Sequence, residues 1–132
     1  SLPGQVLVVC GEGASAETET EQRNAGADIL RLPQLGGRID LHAVLRALAQ
    51  RGVNELLIES GATLAGSALQ AGLVDELVVY VAPNLMGDAA RGLVRMPGLE
   101  HLSERIELQY RDVRQVGEDL RLTLMPRNQA LE

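Results

Sequence analysis

ELLIESGATLAGSALQAGLVDELVVYVAP, residues 55–83, reads as strand, turn, helix, turn and strand. The apolar run Leu56-Leu57-Ile58 is of the kind buried on both faces of a sheet, which predicts a strand over 55–59. Ser60, Gly61 and Ala62 are small, and Gly61 can adopt a left-handed conformation, so a tight turn follows. Residues 63–71 form an amphipathic pattern with Thr63 as a natural N-cap or an additional phosphate donor, and Gly72 as the residue that ends the helix. A β-branched strand is expected over 76–82, stopped by Pro83. Two strands joined by a helix imply a parallel crossover.

The same alternation extends upstream. Residues 6–10 form a short β-branched strand, and 11–15 a loop. Residues 16–25 predict a solvent-facing helix with little apolar support, ended by Gly26. Residues 28–32 predict a strand closed by Pro33 and the Gly36-Gly37 pair. Asp40 caps a further helix, in which Leu41, Val44, Leu45 and Leu48 share one buried face, and Gly52 ends it. Downstream, 84–103 is irregular and rich in Gly and Pro. Residues 105–113 then alternate, with Ile106, Leu108, Tyr110 and Val113 apolar. Residues 120–125 alternate again, and Gly117-Glu118-Asp119 supplies the turn of a hairpin. The expected architecture is α/β: a mostly parallel sheet with flanking helices, plus a C-terminal antiparallel hairpin. Residues 1–132 read as one domain, without repeats or linker.

Composition narrows the function. The net charge is −6 and the arginines are scattered without interleaved aromatics, which excludes the basic stripe a nucleic-acid partner needs. Tyr80 and Tyr110 are the only aromatics, so the core relies on interlocking aliphatics. Cys10 is the only cysteine, which forbids an intrachain disulfide and reads as a small buried hydrophobe. No apolar stretch reaches the roughly 20 residues of a membrane span, and a cytoplasmic setting fits. His42 and His101 read as solvated surface residues; no metal site is expected. Ser1-Leu2, without an initiator Met, and Leu131-Glu132 admit a reading as vector-derived ends.

Two loops compete for a phosphate-bearing ligand. Gly11-Glu12-Gly13-Ala14-Ser15-Ala16 has the form G-x-G-x-x-A after a strand, the dinucleotide-binding glycine pattern. Glu12, Glu17 and Glu19, however, place negative charge where an anion would arrive, so an ordinary loop is the better reading. The second loop, Glu59-Ser60-Gly61-Ala62-Thr63-Leu64, lies at the carboxyl end of a strand and opens a helix, where free N–H groups favour an anion. Glu59 after an apolar run needs hydrogen-bond donors. A sugar hydroxyl, an amino group or neighbouring backbone amides would all serve.

The blocks ESGATLAG (59–66), LQAGLVDEL (69–77), YVAP (80–83) with LMG (85–87), and VGEDL (116–120) together resemble the C-terminal part of the reductase domain of the bifunctional riboflavin biosynthesis deaminase/reductase family. The likeness runs from about residue 53 to 125 and is weaker upstream. It implies a dihydrofolate-reductase-like fold, incomplete at the N-terminus, and reduction of 5-amino-6-(5-phosphoribosylamino)uracil by NADPH. Hydride goes to C1′ of the ribose, giving the ribitylamino product. It also implies that Glu59 contacts the pyrimidine ribotide substrate, and that Gly61, Ala62, Thr63 and Leu64 meet the NADPH phosphates. Pro83 and Gly87 would shape a neighbouring loop. The family's motif has two glycines after the glutamate; Ser60 occupies the first position here. No residue of this chain is assigned as catalytic.

The resemblance further implies an upstream portion with Lys, Thr and Arg groups for the substrate, and a homodimer in which the hairpin of 105–125 is the candidate self-association surface. The chain alone is expected to be inactive, with an unpaired sheet edge. Two rivals stand beside this reading: a dihydrofolate-reductase-like enzyme for another substrate, and a non-catalytic module that dimerises or binds a phosphorylated metabolite.

Overall fold

A computed structural model describes residues 4–127 of the chain. The terminal pairs Ser1-Leu2 and Leu131-Glu132 lie outside them. The fold is α/β, and its contacts gather into two compact units, Ser1–Leu56 and Leu57–Glu132.

In the first unit, β1 (Val6–Gly11) pairs in parallel with β2 (Ala27–Leu32) across α1 (Ala16–Asn24). Helix α1 buries none of its residues, as its polar sequence requires, and Gly26 closes it at φ 95°. A two-residue hairpin follows, β3 (Gln34–Leu35) against β4 (Arg38–Ile39). Gly36 and Gly37 turn it with φ of 58° and 77°, the left-handed pair that matches strand twist. The glycine pair marks a hairpin, not merely the end of β2. Asp40 then caps α2 (Leu41–Gln50), its carboxylate accepting from the His42 N–H at 2.9 Å. The stripe Leu41, Val44, Leu45 and Leu48 is half-buried, not fully enclosed.

In the second unit, α3 (Ala62–Gln70) leads through Gly72, at φ 66°, into β5 (Leu77–Val81). The hairpin β6 (Leu108–Val116) and β7 (Asp119–Pro126) joins β5 in the order β5-β7-β6, antiparallel throughout. The central strand β7 holds the buried Thr123 and Leu124, and α3 contributes Gly66, Ala68 and Leu69 to burial. Register shifts between Tyr110 and Asp112, so one extra residue sits in β6. The sequence carries the same signature: apolar residues at 106, 108 and 110 are followed by one at 113, which breaks a period of two.

Two expectations are corrected. Parallel pairing is confined to β1 and β2 among the described residues; the remaining pairs are antiparallel. Residues 55–59 do not form a strand. Their apolar run finds no partner ladder, and without one a backbone cannot be assigned to a sheet whatever its side chains favour. Leu56, Leu57 and Ile58 consequently stay exposed.

Candidate functional site

The first turn of α3 is open. Gly61 is its N-cap, at φ −70° and ψ 165°, and no side chain caps the turn. Thr63, the N-cap expected from sequence, instead stands inside the helix, where its carbonyl accepts from Ser67 Oγ at 2.9 Å. Gly61 makes no use of left-handed conformational freedom. What matters is its missing side chain, since a Cβ built there would meet no atom within 4 Å. Space is therefore open beside the head of α3. Unpaired amides at a helix start carry partial positive charge and favour an anion.

That space is a cavity of about 710 Å³, within the range of small-molecule sites. One wall is Ser60, Gly61, Ala62, Thr63 and Leu64, which gathers four residues of the expected cofactor turn. The other lining residues are Arg91, Gly92, Val94 and Arg95, from the irregular segment whose pattern suggests no role. No acid lines the cavity. Neither arginine has an ion-pair partner among the described residues. Two arginines lining the same cavity as an uncapped helix start suit a phosphate-bearing ligand. The arginines were hard to find from sequence because they are remote from the turn along the chain.

The segment is fastened to α3 at three points. Arg95 N–H donates to the Ala62 carbonyl at 2.9 Å, and Gln70 Nε2 donates to the Pro97 carbonyl at 3.1 Å. Between them, the Arg95 peptide lies directly on Gly66, where a Cβ would fall 2.1 Å from its carbonyl oxygen.

Glu59 is exposed and precedes the cavity wall without being part of it. It leaves an extended segment, not a strand end. Pro83 and Gly87 lie in exposed loop beyond β5 and do not line the cavity.

The competing loop, residues 11–16, is closed to anions by its own side chains. Ser15 Oγ accepts from the Glu17 N–H at 3.2 Å, capping α1. Arg31 reaches back to donate to the Glu12 carbonyl at 2.8 Å, the Ala14 carbonyl at 3.2 Å and Glu19 Oε2 at 2.7 Å. Arg23 holds the other Glu19 oxygen at 2.9 Å. Arg23 first and Arg31 second hold the Glu19 carboxyl below the usual glutamate range. The partial positive charge at this helix start is already met by the Ser15 hydroxyl and the first-turn acids, which fits an ordinary loop.

Elsewhere, a hollow of about 380 Å³ is walled chiefly by aliphatics such as Leu69, Leu77, Met96 and Ile106, and contains none of the expected site residues. His42 and His101 are exposed, and Cys10 is half-buried in β1. Among the described residues no cluster of His, Cys, Asp and Glu could hold a metal ion. Nor is any helix there long and apolar enough to cross a membrane.

Comparison with known proteins supplies the lineage of this arrangement. The family model described as RibD C-terminal domain matches residues 2–122. The riboflavin biosynthesis protein RibD of Escherichia coli K12 is 41% identical over 117 residues, covering 87% of this chain and 32% of that protein. The 5-amino-6-(5-phosphoribosylamino)uracil reductase of Buchnera aphidicola is 33% identical over 90 residues, covering 68% of this chain and 44% of that protein. Among solved structures, form 2 of Acinetobacter baumannii RibD superposes with a TM-score of 0.76 at 32% identity, over 92% of this chain and 31% of that one. The chain thus spans less than half the length of each of these relatives.

Proposed function

Because the chain belongs to the RibD C-terminal domain family, we propose that the protein carrying it reduces 5-amino-6-(5-phosphoribosylamino)uracil to the ribitylamino product of riboflavin biosynthesis, with NADPH as reductant. The observation that carries this reading is that the uncapped start of α3 lines, together with Arg91 and Arg95, a cavity of about 710 Å³.

The residues fit the anionic part of the cofactor. The pyrophosphate of NADPH needs donors and positive charge, and the lining includes the uncapped helix residues Ala62, Thr63 and Leu64 with Arg91 and Arg95, and no Asp or Glu. Gly61 leaves the backbone open to close approach, and Ser60 is small enough to keep the path that a glycine has in the family. When bound, NADPH supplies the hydride for ribose C1′; the protein's part is binding and orientation. Glu59, next to Ser60, accepts hydrogen bonds from a sugar hydroxyl or amino group of the substrate.

In this reading the enzyme works in the cytoplasm as a homodimer, and residues 1–132 are the C-terminal portion of one reductase domain, inactive alone. The hairpin is the self-association surface, and it presents exposed Tyr110 and Val113.

Gly61→Val in the full-length protein tests the site. Valine accepts the extended backbone and meets no neighbour, so thermal stability should hold while its branches cover the amides. NADPH affinity, measured by titration, should fall about tenfold or more. Unchanged affinity would remove the turn from the site.

A further inference from the structure

Arg91 and Arg95 can serve an anion only if their segment is held at the right distance from α3, and the structure shows what sets that distance. The Arg95 carbonyl oxygen sits 2.1 Å from where a Gly66 Cβ would be, with its carbonyl carbon at 2.7 Å and its nitrogen at 3.1 Å. These are backbone atoms, which cannot swing aside as the end of a side chain can. Any residue other than glycine therefore lifts the segment off the helix. The flanking hydrogen bonds, Arg95 to Ala62 and Gln70 to Pro97, fix its course to either side.

We propose that Gly66 is a positioning residue for the nucleotide site: its bare Cα is the seat of the Arg95 peptide, and through that seat α3 holds both arginines opposite its own first turn. Gly66 is buried, lies one turn beyond the cavity wall and touches no ligand in this scheme. The inference rests on the proposed nucleotide site and adds a residue that acts on it through another. Its role differs from that of Gly61. Gly61 keeps space empty for a ligand, whereas Gly66 keeps space empty for the protein's own backbone.

The test uses Gly66→Ala and Gln70→Ala in the full-length protein, with Gly61→Val as reference, reading NADPH Kd, the separate KM values for NADPH and pyrimidine substrate, and thermal stability. Gly66→Ala should raise Kd and KM for NADPH about tenfold or more. The KM of the pyrimidine substrate and kcat should each stay within about twofold, a split that general loss of structure does not produce. Gln70→Ala, which removes one fastening at an exposed side chain, should shift the same constant in the same direction by a smaller factor. If Gly66→Ala folds and binds NADPH as the parent does, the positioning role is wrong. If it does not fold, Gln70→Ala decides: an unchanged NADPH constant overturns the proposal, and a selective rise supports it. Should Gly61→Val also leave NADPH binding intact, the site itself has been misassigned. Should Gly61→Val alone weaken it, the site stands and only the role of Gly66 falls.

Discussion

The starts of α1 and α3 are two answers to one electrostatic problem. Each helix opens after a glycine-bearing loop, and each exposes amides that attract negative charge. At α1 the protein meets that demand internally, with the Ser15 hydroxyl as cap, Glu17 and Glu19 in the first turn, and Arg31 lashing the loop carbonyls. At α3 it leaves the demand unmet: a glycine cap, no acid in the first turn, and two arginines lining the same cavity. A glycine pattern therefore says little about ligands until the charges around it are counted. The formally better dinucleotide motif, at 11–16, is the one that is closed.

Removing the cations that distinguish the open start should have the largest effect. Arg91→Ala with Arg95→Ala should weaken NADPH binding by roughly tenfold to a hundredfold, as expected for lost hydrogen bonds to a charged group. The residual affinity should also depend less on salt, which a titration at two ionic strengths would reveal. Equal affinity of parent and double variant would erase the contrast between the two helix starts. A smaller effect is expected at the closed one. Arg31→Ala frees the Glu12 and Ala14 carbonyls and one Glu19 oxygen, so melting temperature should fall by a few degrees. NADPH affinity should stay within about twofold. A marked loss of affinity would mean that the loop at 11–16 also serves the ligand.

The smallest effect is the pH response of Glu19. Its folded-state pKa is lowered by Arg23 and then Arg31, so its contribution is present above the unfolded-state value and disappears as pH falls through the folded one. Stability should decline on acidification below the ordinary glutamate range, slightly more steeply than in Glu19→Gln. Parallel curves for the two proteins would show that the ion pairs add nothing.

Much of this was legible in the sequence where local signals decide. Asp40, Gly26 and Gly72 end or begin helices as their chemistry dictates, and Gly117-Glu118 joins β6 to β7. The small residues at 60–62 and their position before a helix mark a loop that a ligand can approach, and in the structure that loop lines a cavity. What sequence could not supply was anything dependent on remote partners. Residues 55–59 have the composition of a strand, but a ladder needs a second chain segment alongside. Strand β5 reads as the sequel of a parallel crossover, yet its neighbour is β7, far along the chain. Arg91 and Arg95 fall in a stretch without periodic pattern, so nothing local ties them to the turn at 60–64. Their segment meets α3 at Ala62, Gly66 and Gln70, and a single glycine inside a helical pattern does not say which backbone crosses it.

The residue inserted into β6 at Arg111 bears on how this protein meets copies of itself. An outer strand with an uninterrupted comb of amides and carbonyls invites a foreign strand to zip along it, and the end of that road is a fibril. Here the comb skips a tooth halfway along. A docking strand would lose its alignment after a few residues and gain too little to stay. In the proposed homodimer, union at the hairpin would then rest on side chains such as the exposed Tyr110 and Val113 meeting face to face, sticky without being polymerising.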